Sequence, residues 1–355
     1  MSTTPSFPPQ SFTQPPIVAR LDASPTLATV AHALRTGAIV APADVGVIDL
    51  VGSGAVACMQ GLLTNDVEKP GDGAFIYGAL LTAKGMILTD GWVTRMGETV
   101  RMVVPGTGRE RALAVFTKSI PPRLARVTDR TADLVVLRLA GAHALALAGA
   151  AQLALPPGPG RTITAPEGEV ARGPDGVPPP FALQVVADPA HAEALTARLT
   201  AGGAALADAA ALELARILTG WPGLASEVDE KTIPQEVRFD EIGGVSYTKG
   251  CYTGQETVSR LHFRGHANRV LLGLEFDGEP DHQDPLPILR GDKEVGRASS
   301  VAWVPDPGPS GPAAGRWMGL AVLRREVETA TMVRAGGVDA RVVGLPLPLR
   351  RHDPA

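Results

Sequence analysis

The chain has 355 residues, of which 45% are hydrophobic and 20% charged, and its formal net charge is −4. This composition is typical of a soluble globular protein and gives no global attraction to nucleic acid or anionic membranes. Two cysteines, Cys58 and Cys251, are too few for a disulfide framework or a four-cysteine metal site, and no stretch approaches the length of an apolar membrane span. We therefore expect a cytoplasmic protein with no permanently bound metal, no nucleic-acid partner and no membrane partner.

The first 267 residues are predicted to mix helices with short antiparallel strands. Residues 1–20 are rich in proline, serine and threonine, which predicts a disordered tail. Ser24 and Pro25 mark a helix start, and the short turns 83–85 and 96–98 predict hairpins. The predicted helices are 26–36, 55–63, 109–119, 143–153, 190–200 and 210–218. The predicted strands are 45–51, 75–82, 86–95, 99–104 and 134–139, with an irregular proline-rich loop at 156–180. Because no regular βαβ alternation is present, the fold class is α+β.

The pattern changes near residue 267, after which only strands are predicted. They are 270–276, 286–289, 294–304, 319–323, 331–334 and 338–343. Their separation by glycine and proline turns is typical of a small β-barrel or sandwich. We therefore divide the chain into a tail (1–20), two α+β parts (21–130 and 131–267) and a C-terminal β-barrel (268–350).

Two local patterns resemble known sites without meeting their requirements. Residues 52–57 fit the G-x-G-x-x-A dinucleotide fingerprint, but hairpins follow where a second parallel strand is needed. His262 and His266 have the spacing of paired zinc ligands, but no third ligand is evident. The arginines around these histidines are Arg260, Arg264 and Arg269. The cluster is either a solvated helix face or an anion-binding surface.

The sharpest feature of the sequence is the segment K-G-C-Y-T-G-Q-E. Its residues are Lys249, Gly250, Cys251, Tyr252, Thr253, Gly254, Gln255 and Glu256. Thr253 and Glu256 have the spacing of a capping box, which predicts a helix that begins at Gly254. Cys251 would precede this helix, where the helix dipole and the nearby lysine favour the thiolate, the form that acts as a nucleophile or metal ligand. The alternative is a buried thiol packed beneath the cap.

This segment carries the signature K-G-C-[aromatic]-x-G-Q-E intact. The chain resembles the YgfZ-type folate-binding family, whose members are related to the aminomethyltransferase (T-protein) of the glycine cleavage system. Further matching stretches occur in the same order, and the resemblance extends over roughly residues 40–345. These stretches are 60–67, 81–85, 231–236, 244–246 and 260–265.

The resemblance implies both an architecture and a role. The architecture is a three-part ring in which two α+β parts and a C-terminal β-barrel surround a central folate cavity. Residues 21–130 would be the folate-binding part, and 131–267 would carry the motif. The implied role is the assembly or repair of iron–sulfur proteins, particularly 4Fe–4S proteins, with tetrahydrofolate as the cofactor. The expected partners are folate and either iron–sulfur assembly proteins or 4Fe–4S client enzymes.

The resemblance leaves one alternative open, a tetrahydrofolate-dependent aminomethyl or one-carbon transferase. The transferase has an acidic pair near the reactive nitrogens of its cofactor, and here that pair reads Thr89-Asp90. It also has a glutamate that holds the pterin ring, and this chain has Leu218 at that position. A leucine cannot accept N–H bonds, so a buried donor would stay unpaired at about 1–3 kcal/mol. These differences, and a motif cysteine that the transferase lacks, favour the assembly factor.

The resemblance also implies roles for individual residues. Asn65, Asp66, Tyr77 and Asp90 would line the folate cavity, and Asp90 and Cys251 would be the catalytic candidates. Tyr77 would contribute its ring face. Without the resemblance, Asn65 and Asp66 suit a turn after a helix, and Asp90 suits a solvent-facing strand position.

Three further residues have a structural alternative. The Arg216 guanidinium would either meet the glutamate tail of folate or tie two domains together. Gln255 and Glu256 belong to the motif but would be partly structural, because the predicted capping box already uses Glu256.

Overall fold

The computed structural model describes residues 19–283, 286–306 and 315–348. Most of the tail predicted at 1–20 lies outside these residues. However, Ala19–Leu21 forms a strand (β1) that pairs in parallel with the strand Lys293–Pro305 near the C-terminus. The prediction of disorder is therefore wrong for residues 19 and 20, because this short segment is paired with a distant sheet.

The helices lie where the sequence predicts them, with small differences at their ends. Those of the described residues are α1 (Pro25–Thr36), α2 (Ala55–Gln60), α3 (Arg109–Ser119), α4 (Ala144–Ala150), α5 (Pro189–Ala201), α6 (Ala209–Thr219) and α7 (Gln255–Arg264). Ser24 caps α1 as predicted, since the Leu27 N–H donates to its Oγ at 3.1 Å. Asp188 and Asp208 cap α5 and α6 in the same way. Within the described residues, none of these helices is both long and apolar enough to cross a bilayer.

The first sheet has five antiparallel strands in the order β4-β5-β6-β3-β7. They are β3 (Val45–Val51), β4 (Ala74–Leu81), β5 (Ile87–Met96), β6 (Thr99–Pro105) and β7 (Arg126–Asp129). The two predicted hairpins are confirmed, because β4 pairs with β5 and β5 pairs with β6. β3 pairs antiparallel with both β6 and β7. The turn at 52–57 therefore does not open a parallel βαβ unit, which excludes the dinucleotide-binding alternative.

The second sheet has six strands in the order β12-β2-β8-β11-β10-β9. They are β2 (Ile39–Pro42), β8 (Val135–Ala140), β9 (Thr162–Ala165), β10 (Gly168–Arg172), β11 (Leu183–Ala187) and β12 (Ala205–Leu206). The predicted loop at 156–180 is wrong in its centre, because β9 and β10 form a hairpin there that pairs with β11. The division at residue 130 stays a prediction, and the position of β2 shows that the segment before residue 45 contributes to this second sheet.

The C-terminal strands close into a barrel of six. They are β13 (Arg269–Phe276), β14 (Leu286–Arg290), β15 (Lys293–Pro305), β16 (Gly315–Arg324), β17 (Met332–Ala335) and β18 (Val338–Val343). Their pairing runs β15-β14-β17-β18-β13-β16 and closes between β16 and β15. Leu274, Phe276 and Trp317 are among the buried apolar side chains of the barrel. The predicted β-barrel and the α+β fold class are both confirmed.

One apolar cluster joins the three sheets. It contains Tyr77 and Trp92 of the first sheet, Ala171 of the second, Leu271 of the barrel, and Trp221, which follows α6. Since residues of both α+β parts and of the barrel meet in this cluster, a site at the junction can be built from several elements at once.

Candidate functional site

A cavity of about 250 Å³ lies at the junction of the first sheet, the second sheet and α6. Of the predicted site residues, Tyr77, Asp90 and Arg216 line it. The other lining side chains include Trp92, Arg138, Phe181, Glu213 and Trp221. We call this cavity the Asp90 chamber.

Asp90 is the unusual residue of the chamber. It is only 8% exposed, so the solvent-facing alternative is wrong. The Tyr77 hydroxyl donates to its Oδ2 at 2.7 Å, whereas its buried Oδ1 receives no hydrogen bond from any described residue. Burial raises the pKa of Asp90, although the Tyr77 bond and the Arg138 charge oppose this. An unpaired buried acceptor costs about 1–3 kcal/mol, so a ligand that brings an N–H donor to Oδ1 would be stabilised there.

Aromatic rings form the walls beside this carboxylate. The rings of Trp92 and Trp221 stack with centroids 5.5 Å apart and planes 29° apart. The Tyr77 ring packs edge-on against Trp221 at 4.7 Å, and Phe181 packs edge-on against Trp92 at 5.1 Å. Flat aromatic walls around one polar atom suit a planar heterocycle that carries hydrogen-bond donors. Neither the two tryptophans nor Phe181 were among the site residues predicted from the sequence.

Arg138 is a second charged group of the chamber that the sequence analysis missed. Its guanidinium lies 4.6 Å from the centroid of the Phe181 ring and donates to Gln184 Oε1 at 3.2 and 3.3 Å. Burial lowers the pKa of Arg138 to about 10, with the Asp90 and Tyr77 charges opposing. The sequence did contain a signal for Arg138, since it is the one charged residue of the otherwise apolar strand β8. A charge within such a strand needs a partner, which indicates a polar site nearby.

Arg216 has its N–H groups fully used within the protein. Nε and Nη2 donate to Glu213, Nη1 donates to Glu227 Oε2 (2.8 Å) and to Trp221 O (2.6 Å), and Nη2 also reaches Ser300 Oγ (2.6 Å). A guanidinium has five N–H groups, and these five bonds use them all. Arg216 therefore ties α6 to the barrel strand β15, in agreement with the structural alternative, and has no N–H left for a glutamate tail.

Asn65 and Asp66 lie in the loop after α2, next to the chamber. The Asn65 amide donates to Tyr77 O at 2.9 Å and to Gly243 O at 2.7 Å. Asp66 accepts from Gln60 Nε2 and from two backbone N–H groups that follow it. Burial alone would raise the pKa of Asp66, but these bonds lower it. Both side chains organise the loop, and a direct role in ligand binding stays a prediction.

The motif lies against this same loop of the first part. Lys249 is 8% exposed, and its ammonium donates to Gln60 O (2.6 Å), Leu63 O (2.7 Å) and Asn65 O (2.8 Å). These bonds use all three of its N–H groups. The lysine therefore holds the loop, and the predicted role of its charge, to favour the thiolate of Cys251, is not what these bonds serve.

Cys251 is exposed, so the buried-thiol alternative is wrong. The predicted capping box is also wrong, because α7 begins one residue later with Gly254 at its N-cap in a left-handed conformation (φ 82°). A Cβ at this glycine would come within 2.5 Å of Thr82 O, so the close approach to the first sheet requires glycine. Glu256 is exposed on the first turn of α7.

The histidine and arginine cluster borders a separate groove of about 610 Å³ at the end of α7. The His262 ring stacks on Tyr247 at 3.6 Å, and Arg269 forms an ion pair with Glu236 at 2.9 Å. Arg260 and Arg264 are exposed. The cluster is thus partly paired and partly solvated, and the two alternatives for it remain.

Leu218 and Thr89 are the two positions that separate the candidate functions. Leu218 packs in the apolar cluster that joins the sheets. Thr89 is buried, and its hydroxyl donates to Asp90 O at 3.2 Å. Neither residue offers a carboxylate to a bound ring.

Comparison with known proteins first defines the class. Residues 7–154 match the family model described as the GCVT N-terminal domain. The aminomethyltransferase T of the glycine cleavage system from Bartonella henselae has the same fold, with a TM-score of 0.75, 18% sequence identity, and coverage of 92% of this chain and 90% of that one. The protein therefore has the fold of the glycine cleavage aminomethyltransferases.

Sequence relatives then define the family within this class. An aminomethyltransferase from Rubrobacter xylanophilus is 29% identical over 327 residues, which cover 87% of this chain and 82% of the relative. The tRNA-modifying protein YgfZ from Vibrio vulnificus is 28% identical over 300 residues, with coverage of 83% and 86%. The tRNA-modifying protein YgfZ from Escherichia coli O157:H7 is 30% identical over 236 residues, with coverage of 64% and 68%. The chain belongs to the GcvT-related YgfZ family.

Proposed function

We propose that the protein binds tetrahydrofolate in the Asp90 chamber and supports the assembly or repair of 4Fe–4S proteins, with Cys251 as the reactive group. Its partners in this role are iron–sulfur assembly proteins or 4Fe–4S client enzymes. The YgfZ relatives are named for tRNA modification, and we propose that any such effect of this chain runs through client enzymes. The net charge of −4 gives the chain no general attraction to RNA.

The observation that carries the folate proposal is the unpaired Oδ1 of Asp90 between aromatic walls. A reduced pterin is a ring system with several N–H donors, which match this acceptor and these walls. At about 250 Å³ the chamber is slightly smaller than sites for whole drug-sized ligands, which span roughly 300–1,000 Å³. It therefore suits the pterin ring better than a complete folate. When bound, tetrahydrofolate supplies one-carbon chemistry at the nitrogens of its reduced ring.

The exposure of Cys251 supports the second half of the proposal. The thiol is exposed on a loop that the backbone bonds of Ser246 and Thr253 fix from both sides, so a partner protein can reach it without unfolding the chain. A thiolate at this position is able to ligate iron or to exchange with a partner thiol. Deletion of the gene should lower the activity of several 4Fe–4S enzymes, and the wild-type chain should restore it. Rescue by Cys251→Ala to the wild-type level would rule out the role of the thiol.

Folate binding is tested by calorimetry with tetrahydrofolate on the purified protein. We expect a dissociation constant in the micromolar range or weaker, since only part of the ligand is enclosed. Folding is checked in the same sample by circular dichroism. Absence of heat at all accessible concentrations, with a folded protein, would remove folate from the proposal.

A tetrahydrofolate-dependent aminomethyl transferase is the second candidate. The 29% identity to the Rubrobacter aminomethyltransferase and the retained Asp90 favour it. The buried Leu218 opposes it, because it takes the position of the transferase's pterin-holding glutamate and offers no acceptor there, which suits looser pterin binding through Asp90 alone. The purified protein is supplied with the aminomethylated carrier protein and tetrahydrofolate, and ammonia is measured. Turnover at about 1 per second or faster would favour the transferase over the assembly factor.

A further inference from the structure

The loop between α2 and β4 is wrapped around the motif. The three bonds of Lys249 reach carbonyls at positions 60, 63 and 65. The Tyr252 ring lies 5.0 Å from the same ammonium and shields it from solvent. One buried cation thus binds three carbonyls within the six-residue stretch 60–65 and fixes its curve.

Backbone bonds hold the segments on both sides of Cys251 to the same loop. The Thr253 N–H donates to Gly61 O at 3.0 Å, and the Ser246 N–H donates to Thr64 O at 3.0 Å. The Thr64 hydroxyl donates in turn to Gly244 O at 2.6 Å. A shift of the loop therefore moves the backbone that carries Cys251.

The same loop is bonded to the Asp90 chamber. Asn65 accepts from Lys249 through its carbonyl and donates through its side-chain amide to Tyr77 O at 2.9 Å. The Tyr77 hydroxyl donates to Asp90 Oδ2 at 2.7 Å. A continuous chain of contacts therefore runs from Lys249 through Asn65 and Tyr77 to the carboxylate with the unpaired oxygen.

We propose that Lys249 is a positioning residue that couples occupancy of the Asp90 chamber to the exposure of Cys251. A ligand that donates to Asp90 fixes Tyr77, and through Asn65 and Lys249 it restrains the loop that carries the thiol. The proposal rests on folate binding in the chamber, as argued above. Since coupling between sites is reciprocal, modification of Cys251 should also change the affinity for the ligand.

The test measures the rate at which iodoacetamide alkylates Cys251, with and without saturating tetrahydrofolate. Mass spectrometry separates Cys251 from Cys58. The assay is run at pH 7, because burial lowers the pKa of Lys249 to about 8 against the Asp66 and Glu68 charges, and the ammonium is still protonated there. In the wild-type protein we expect the ligand to slow alkylation about five-fold or more.

Two variants cut the chain of contacts at different points. Lys249→Gln removes the ammonium, and Asn65→Ala removes the amide bridge to Tyr77 while it keeps the carbonyl that Lys249 uses. Both should reduce the slowing to less than about two-fold, measured at tetrahydrofolate concentrations that calorimetry shows to saturate each variant. The matched control is Lys231→Gln, a change at an exposed lysine of the segment before the motif, which should keep the full slowing. If Lys249→Gln does not fold, Asn65→Ala decides.

The outcomes separate this inference from the proposed function. If calorimetry detects tetrahydrofolate but alkylation of Cys251 is unchanged, the coupling is wrong and folate binding stands. If the ligand slows alkylation equally in the wild type and in Asn65→Ala, the ligand shields the thiol directly and the role of Lys249 is refuted. If no tetrahydrofolate binds to the folded wild type, the proposed function and the coupling both fail.

Discussion

Asp90 and Arg216 face the same chamber but differ in how completely their charges are met. Arg216 uses all five N–H groups on protein acceptors, including the fully buried Glu227. Asp90 has one hydrogen bond and one oxygen without a partner among the described residues. The comparison teaches that a charged group on a cavity wall indicates a ligand-binding site only if some of its hydrogen-bonding positions are not used within the protein. Arg216 belongs to the frame of the chamber, and Asp90 is the group that faces a ligand.

The largest effect is expected for Arg216→Met, which tests whether this arginine is part of the frame. Glu227 would keep a buried charge without its cation, which costs about 3–5 kcal/mol of the free energy of unfolding. Urea denaturation measures the loss. The control Arg264→Met, at an exposed arginine of α7, should change stability by less than about 0.5 kcal/mol. Equal stabilities for the two variants would refute the structural role of Arg216.

Asp90→Asn tests the other side of the comparison. Loss of a hydrogen bond to a charged group costs about 1.5–3 kcal/mol, so we expect the affinity for tetrahydrofolate to fall by about ten- to a hundred-fold. The matched control is Asp292→Asn, at an exposed position in the turn between β14 and β15. Calorimetry on both variants gives the affinities, and an unchanged dissociation constant for Asp90→Asn would move the ligand out of the chamber.

The pH dependence of stability gives a second test of Asp90, namely whether its carboxyl group is desolvated in the folded protein. Burial raises the pKa of Asp90 above its unfolded value, so its stabilising contribution is complete below about pH 3.8 and is lost as the pH rises through the folded pKa. The wild type should therefore lose stability relative to Asp90→Asn as the pH rises from 4 to 7 in chemical denaturation. A difference between the two proteins that is constant over this range would show that Asp90 is not desolvated in the folded state.

The smallest effect on stability is expected for Cys251→Ala. An exposed thiol contributes little packing, so the free energy of unfolding should change by less than about 0.5 kcal/mol. The same variant should fail to restore 4Fe–4S enzyme activity in the deletion strain. A large loss of stability would instead make Cys251 part of the frame, like Arg216.

Much of the fold was predictable from the sequence because its elements carry strong local signals. The alternation of Val45–Val51 and the proline and serine at the start of α1 are examples, and the structure confirms both. The hairpin of β9 and β10 was missed because the prolines of 156–180 dominate its composition. Its strands are stabilised by pairing with β11, a contact that the local sequence does not encode.

The site was only partly predictable, for a different reason. The family resemblance led to Tyr77 and Asp90, which line the chamber. Pattern alone could not show that the N–H groups of Arg216 are used up or that Lys249 binds carbonyls far away in sequence, because both facts depend on tertiary distances. The spacing of Thr253 and Glu256 predicted a side-chain cap for α7. In the structure the N-cap is instead Gly254, in a left-handed backbone conformation.

The path of residues 19–51 has a consequence for the order of folding during synthesis. This stretch places β1 on the barrel, packs α1 against α6, adds β2 to the second sheet and provides β3 of the first. Arg20 pairs with Val301, about 280 residues later. At a translation rate of roughly 5–20 residues per second, β1 leaves the ribosome about 15 to 60 seconds before its partner exists. The first sheet can form early, whereas the three-part assembly must wait for the end of the chain, and in that interval β1 has no partner strand on β15.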